Sequence, residues 1–215
     1  MELLSENIWV FFGFAILISL SGVMTPGPLF AAAVAKGYKD KRAGVKIALG
    51  HGLVEFPLIA LIFFSIGTIF TDPLVKLGIG LVGGAFLLQM GYKMVRSRRV
   101  IAGGDEKYFP YDSLWAGAIT SSLNPYFLLW WASVGAVLIY NAQTFGPIIV
   151  VVFAVVHWSC DLAWYTFTSF TVYKTKHLWT PTVHEIVFGT CGVIMMVFGV
   201  YFIVGPGYGL LVESL

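Results

Sequence analysis

Two pairs of titratable side chains, each with a histidine four residues before an acid, lie in apolar stretches of the sequence. The first pair is His51 and Glu55, and the second is His157 and Asp161. A spacing of four places both side chains on one face of a helix, close enough to share a proton or a hydrogen bond. Ionisable groups are costly inside a bilayer and usually mark a pathway or a proton relay there. We therefore predict that the two pairs carry coupling protons.

The same four side chains allow two other interpretations. Two imidazoles and two carboxylates from two helices could complete the ligand set of zinc, manganese or a similar divalent ion. Each histidine could also neutralise its acid and hold two helices in register, although the recurrence of the pattern favours a functional role. A site for a divalent metal ion stays open as the alternative to the proton relay.

Proline-containing elements interrupt two of the apolar stretches. Thr25-Pro26-Gly27-Pro28 cannot continue a regular helix, because its prolines remove amide donors and clash with the preceding turn. We predict two half-helices that meet inside the membrane, where the free amides of the second suit a substrate carboxylate. Asn124-Pro125 is a milder interruption, with Ser121 and Ser122 available to satisfy freed carbonyls. The predicted substrate-binding residues are Thr25, Pro26, Gly27, Pro28, Asn124 and Pro125.

The chain that carries these motifs is too apolar for a water-soluble domain. Of its 215 residues, 58% are hydrophobic and 11% are charged, whereas roughly 25% of the residues of soluble proteins are charged. A membrane span needs roughly 20 apolar residues. Six stretches reach that length, at 8–35, 43–70, 74–95, 113–140, 145–173 and 183–204. We predict an all-α integral membrane protein with six transmembrane helices, of which the first and fourth are broken.

The basic residues predict the orientation of these spans. Lys and Arg are retained on the cytoplasmic side of short loops, and on the six-span assignment all of the 13 basic residues except Lys76 lie on one side. Both termini are therefore expected outside. Short basic clusters beside membrane spans are the ordinary signal of topology, so we expect no nucleic-acid partner. With no nucleophile constellation or nucleotide loop in the sequence, we expect neither an enzyme nor a cofactor.

The order of the motifs repeats in the two halves of the chain. We interpret residues 1–95 and 113–215 as two three-helix repeats, joined by a basic cytoplasmic loop at 96–112. A unit with an odd number of spans inverts when it is repeated, as in carriers that alternate access around a midplane site. The proline-to-histidine spacing differs between the halves, because it runs from Pro26 to His51 in the first and from Pro125 to His157 in the second. The histidine-to-acid spacing is four in both halves.

Aromatic and glycine residues in the spans have two possible uses. Trp130-Trp131, Trp158 and Trp164-Tyr165 could enclose a substrate side chain, but membrane helices also use such residues as interfacial anchors or in packing. Gly80 and Gly84 permit a close helix contact, either within the chain or in a dimer. We expect packing within the chain in both cases.

The order of these elements resembles the LysE/RhtB superfamily of amino-acid exporters over essentially the full length. The resemblance lies in Thr25-Pro26-Gly27-Pro28, the basic turn after it, two further spans, a basic loop and Asn124-Pro125. It implies a carrier in the lipid bilayer of the plasma membrane that exports amino acids or related zwitterionic solutes, is driven by protons and often forms a homodimer. Leu29 and Tyr126 stand where members often have a polar and a basic residue. We interpret the chain as a divergent member, with archaeal origin as one option, so lysine as substrate does not follow.

Overall fold

The computed structural model describes residues 7–64, 72–101 and 111–213, and these residues form helices and short connections without a strand. A π-helical turn, Trp131–Gly135, joins the sixth helix to the seventh, and a 3-10 turn, Lys176–Leu178, follows the eighth. The helices are α1 (Ile8–Val23), α2 (Pro28–Gly37), α3 (Ala43–Phe63), α4 (Pro73–Ile101), α5 (Ser113–Ser122), α6 (Pro125–Trp130), α7 (Ala136–Thr144), α8 (Pro147–Thr175) and α9 (Pro181–Glu213).

The described residues confirm the all-helical class and include several candidate membrane spans. In the described part of the chain, five helical segments are long and apolar enough to span a bilayer, and the bent pair α1 and α2 makes a sixth if it counts as one span. Many apolar side chains face outward, where lipid tails rather than water would surround them. Examples are Trp9, Leu17, Val82, Ile148 and Val197, each more than 60% exposed.

The boundaries of two predicted segments differ from the helices. The predicted loop at 96–112 begins too early, because α4 continues to Ile101. The predicted fourth span, 113–140, divides into α5 and a segment from Pro125 to Thr144 that is long enough to span by itself. The π-helical turn within this segment was not predicted. The end of the predicted second span, at 65–70, lies outside the described residues.

Both predicted helix breaks are present. α1 ends at Val23 and α2 begins at Pro28, and the two helices are bent by 72°. α5 ends at Ser122, and Asn124 caps α6 in an extended conformation, with its Oδ1 accepting from the Tyr126 amide at 3.1 Å. Proline suits the first position of the following helix in both cases. An amide hydrogen at that position would have no intrahelical partner, so proline loses no hydrogen bond by lacking one.

The turn between α2 and α3 is held by polar contacts outside the membrane-spanning segments. Asp40 accepts hydrogen bonds from the Lys46 ammonium at 2.8 Å and from the Arg42 amide at 2.8 Å. These contacts, the first above all, lower the pKa of Asp40, so its carboxylate stays charged beside the basic residues at neutral pH. The basic turn is thus an ordered connection between two helices.

Glycines set the close packing of α3 against its neighbours. A Cβ atom on Gly44 would collide with the Tyr165 carbonyl of α8, and one on Gly50 would collide with the Leu114 carbonyl of α5. Only a residue without a side chain lets these backbones approach so closely. α3 therefore lies between α5 and α8, and this arrangement brings its polar face towards α8.

α4 and α9 pack against each other as an antiparallel pair through four glycines. A Cβ atom on Gly84 would lie 2.8 Å from the Gly199 carbonyl, and one on Gly91 would lie 2.5 Å from the Gly192 carbonyl. The expected role of Gly84 in packing within the chain is thus observed. Gly80, its predicted companion, is also buried.

Candidate functional site

The four predicted titratable residues form one buried cluster between α3 and α8. His51 and His157 are each 4% exposed, Asp161 is 2% exposed and Glu55 is fully buried. Within α3, His51 Nε2 lies 3.2 Å from Glu55 Oε1, and within α8, His157 Nε2 lies 3.7 Å from Asp161 Oδ2. Both histidines therefore meet the acid one turn ahead, as the spacing of four predicts.

Contacts between the helices join the two pairs. His157 Nε2 lies 3.1 Å from Glu55 Oε1, and His51 Nε2 lies 3.5 Å from Asp161 Oδ1. These distances match those within each helix, so each imidazole faces both carboxyl groups. The pairs predicted as separate proton carriers are thus parts of one four-membered network.

Two oxygens of this network have unused capacity to bind a cation or a proton. Glu55 Oε1 also accepts from Trp131 Nε1 at 3.3 Å, whereas Glu55 Oε2 and Asp161 Oδ2 are buried without a hydrogen-bond partner. Leaving a buried polar atom unsatisfied costs roughly 1–3 kcal/mol. A proton, a substrate ammonium or a metal ion would each satisfy these oxygens.

The ligand atoms also have the spacing of a cation site. His51, Glu55 and Asp161 each offer one ligand atom, and these three atoms lie within 4.8 Å of one another. A mixture of imidazole and carboxylate ligands suits zinc, manganese and similar ions. The geometry therefore fits the metal alternative as well as the proton relay.

Two serines contact the outer nitrogens of the histidines. Ser19 Oγ of α1 lies 2.7 Å from His157 Nδ1, and Ser121 Oγ of α5 lies 2.7 Å from His51 Nδ1. Ser19 was not predicted as a site residue, and Ser121 was expected only to satisfy a carbonyl, which it also does at Gly117. A serine shortly before each proline break was the available signal.

Both helix breaks and the titratable cluster line one cavity with about 700 Å³ of empty space, part of it open to solvent. The predicted binding residues Thr25, Pro26, Gly27, Pro28 and Asn124 all reach this cavity. Pro125 lies instead against Gly83 of α4.

The two breaks approach each other across the cavity. Thr25 Oγ1 of the first break lies 3.5 Å from Tyr126 Oη of the second. Non-helical backbone is tolerated at membrane depth where it is buried in protein or lines a cavity. The breaks meet this condition, because they face a common space.

Aromatic rings form much of the remaining wall. Trp131 packs edge-on to the His157 ring with centroids 4.8 Å apart, and Tyr126 lies 5.8 Å from the Phe198 ring. Trp158 instead donates to the Ala48 carbonyl at 2.9 Å, and Trp164, which does not line the cavity, stacks on Phe30. The expectation of packing thus describes Trp158 and Trp164, whereas Trp130, Trp131 and Tyr165 also line the cavity.

The sequence matches the family described as LysE type translocator over residues 20–205. The chain belongs to this family. The matched range of this LysE type translocator contains both breaks and all four titratable residues. Neither curated proteins nor solved structures gave a match.

Membership confirms the resemblance and the class of protein. A LysE type translocator is a transporter rather than an enzyme, and its several apolar helices make it a multi-pass membrane protein. The family indicates amino acids or related solutes as the transported class. The cavity between the breaks is therefore the candidate site for a small solute.

Proposed function

We propose that this LysE type translocator is a secondary transporter that exports amino acids or related small zwitterionic solutes in exchange for protons. The observation that carries the proposal is the cavity that both helix breaks share with a buried network of titratable groups. Secondary transporters bind substrates at such breaks, near the middle of the membrane. The family supports the class of solute. A homodimer stays a prediction from the resemblance.

The start of α2 is the proposed site for the substrate carboxylate. The first amide that bonds within this helix is that of Ala31, which donates to the Gly27 carbonyl at 2.9 Å. The amides of Leu29 and Phe30 precede it, where helical backbone offers no partner. Free amides together with the helix dipole favour an anion. Thr25 and Asn124 lie at the same cavity and would contact the polar end of the substrate.

The wall of the cavity favours a substrate with a neutral, apolar side chain. Phe30, Leu87, Tyr126, Met195 and Phe198 line it, and no Lys or Arg of the described residues does. The carboxyl groups that line it, those of Glu55 and Asp161, already face two imidazoles. A lysine side chain would therefore compete with the histidines, whereas an aromatic or branched side chain would pack on the rings. We propose bulky neutral amino acids as the preferred solutes.

Proton coupling is proposed for the network of His51, Glu55, His157 and Asp161. Histidine and carboxyl groups placed together inside a membrane are the usual components of proton relays. Here a proton on Nε2 of either imidazole would face both carboxyl groups at 3.1–3.7 Å. Protonation and substrate binding at one cavity would thus influence each other directly.

An inverted repeat of three spans is proposed for the two halves. Ser19 and Ser121 are 102 positions apart (19 to 121), and each contacts the histidine of the opposite half. The two histidines are 106 positions apart (51 to 157), as are the two acids (55 to 161). Equivalent residues thus make equivalent contacts, as a twofold relation requires.

The glycines of α4 and α9 follow the same relation. Gly84 and Gly192 are 108 positions apart, as are Gly91 and Gly199. Gly84 is equivalent to Gly192, and Gly199 is equivalent to Gly91. The contact of Gly84 with Gly199 therefore corresponds to the contact of Gly192 with Gly91, and both contacts are observed. The antiparallel direction of the two helices supports inversion of one half relative to the other.

Both termini are proposed to lie outside the cell, because the basic residues concentrate at the opposite ends of the spans. We expect a cysteine introduced at Asn7 to react with a membrane-impermeant thiol reagent in intact cells. The exposed residue Lys39, on the opposite side, supplies the matched position for a cysteine that should react only after the cells are opened. The opposite pattern of labelling would reverse the assigned orientation.

Transport in vesicles tests the function. Purified protein in proteoliposomes with an imposed pH gradient should move labelled leucine or phenylalanine faster than lysine, and dissipating the gradient should stop accumulation. The same vesicles should be screened with Zn²⁺ and Mn²⁺ as the only solutes, since the cluster also fits a divalent ion.

A divalent-metal exporter is the second candidate, supported by the three ligand atoms within 4.8 Å and the two unpartnered carboxylate oxygens. Metal flux without amino-acid flux, together with stoichiometric binding that is lost in His51→Ala and His157→Ala, would replace the first proposal with this one. Amino-acid flux that is unaffected by chelators would exclude it.

A further inference from the structure

We propose that Ser19 and Ser121 are positioning residues that hold a proton on Nδ1 of His157 and His51 and so direct both Nε2 atoms at the buried carboxyl groups. The inference deepens the proposed function, because it concerns the same cavity. It does not depend on the identity of the solute, since it follows from hydrogen-bond geometry. Neither serine is assigned a role by the family match.

The contacts of Ser19 determine which group donates. Its Oγ lies 2.6 Å from the Ala15 carbonyl oxygen and 2.7 Å from His157 Nδ1. A carbonyl oxygen has no hydrogen, so two oxygens only 2.6 Å apart need the hydroxyl hydrogen between them. The hydroxyl has one hydrogen and has then used it. The hydrogen in the second contact must therefore belong to the imidazole, and His157 Nδ1 donates to Ser19.

Ser121 repeats this arrangement in the other half of the chain. Its Oγ donates to the Gly117 carbonyl at 2.7 Å and lies 2.7 Å from His51 Nδ1. Ser121 is fully buried and Ser19 is 1% exposed. Burial of both hydroxyls makes these fixed partners of the imidazoles rather than groups that exchange with bulk water.

The consequence appears on the opposite side of each ring. A neutral imidazole carries one hydrogen, so with Nδ1 occupied its Nε2 presents a lone pair that accepts from a protonated carboxyl group. When the ring is charged, the second hydrogen lies on Nε2 and is donated to a carboxylate. The Nε2 atoms of His51 and His157 lie 3.2 and 3.1 Å from Glu55 Oε1. Hydrogen bonds to the outer nitrogen are a common way to fix the tautomer and orientation of a functional histidine. Each serine thus prepares the histidine of the opposite half to bind at Nε2.

Neighbouring serines supply matched controls. Ser21 Oγ donates to the Ile18 carbonyl and Ser122 Oγ donates to the Ala118 carbonyl, and among the described side chains no imidazole contacts either hydroxyl. Ser21→Ala and Ser122→Ala therefore remove the same kind of hydroxyl from the same helices without touching the cluster. Threonine is the conservative replacement, and Thr120 of α5 makes the equivalent bond to Ala116 at 2.6 Å.

Nitrogen NMR of ¹⁵N-histidine protein in lipid bilayers tests the proposal directly. His177 and His184 are first replaced by Asn, so that only His51 and His157 give signals. At a pH where both rings are neutral, we expect a directly bonded hydrogen on Nδ1 and an unprotonated Nε2 in each. Ser19→Ala should change this signature for His157 alone, and Ser121→Ala should change it for His51 alone, whereas the two control variants should change neither.

Transport supplies a second measurement. Ser19→Ala and Ser121→Ala should each lower the rate of gradient-driven flux roughly 10-fold or more, and Ser19→Thr or Ser121→Thr should restore part of it. Rings with the hydrogen on Nε2 in the parent protein, or a tautomer that persists in Ser19→Ala and Ser121→Ala, would overturn the positioning role. If the tautomers behave as expected but no amino acid is moved, the positioning role stands and the proposed function fails.

Discussion

Glu55→Gln should stop proton-driven transport while leaving the protein folded and inserted. Glu55 is the centre of the network, because its Oε1 faces both Nε2 atoms and accepts from Trp131. Glutamine has nearly the same shape and can keep a hydrogen bond to Trp131, but it cannot bind and release a proton. We expect flux under an imposed pH gradient to fall to the level of protein-free vesicles. Asp161→Asn should have the same effect.

A second assay separates coupling from substrate binding. Exchange of labelled for unlabelled amino acid across the membrane, without a pH gradient, needs the cavity but no net movement of protons. This exchange should survive in Glu55→Gln. If it is lost together with driven flux, Glu55 holds the substrate rather than the proton.

Asp72→Asn provides the matched control for removing a carboxylate. Asp72 lies at the start of α4 and caps it by accepting from the Leu74 and Val75 amides, and asparagine caps a helix equally well. Driven flux should be unchanged in this variant. Unchanged flux in both Glu55→Gln and Asp161→Asn would remove the proton relay from the proposed function.

The features that were predictable from the sequence depend on local chemistry. A proline lacks an amide hydrogen wherever it stands, so the ends of α1 and α5 followed from Pro26, Pro28 and Pro125 alone. A histidine four residues before an acid meets it on any helix. The apolar stretches and the basic clusters are likewise properties of single segments.

The contacts between segments were not predictable in this way. The approach of α3 to α8 depends on Gly44 lying against the Tyr165 carbonyl. Neither segment carries a sequence signal that indicates which other segment it packs against. The contacts of Ser19 with His157 and of Ser121 with His51 join residues 138 and 70 positions apart. The proton-relay prediction therefore treated the titratable groups as two separate pairs, whereas the packing of α3 against α8 makes them one network.

A double-mutant cycle between Glu55 and His157 tests whether the four titratable groups form two separate pairs or one network. If the pairs were separate, Glu55 would interact only with His51. Replacing His157 would then leave the contribution of Glu55 to the free energy of unfolding unchanged. In one network the 3.1 Å contact between α3 and α8 makes the two residues interdependent. We expect the loss of unfolding free energy in Glu55→Gln/His157→Gln to be smaller than the sum of the single losses by roughly 0.5–3 kcal/mol.

The exposed histidine of the 3-10 turn supplies the control cycle. His177 lies outside the cluster, so Glu55→Gln and His177→Gln should be additive within roughly 0.5 kcal/mol. Thermal unfolding in detergent with a single conformational probe gives all the required free energies. Additivity of Glu55→Gln with His157→Gln would contradict a shared network. It would return the cluster to two independent pairs, each able to carry a proton without the other, and coupling between the halves would then have to pass through the substrate alone.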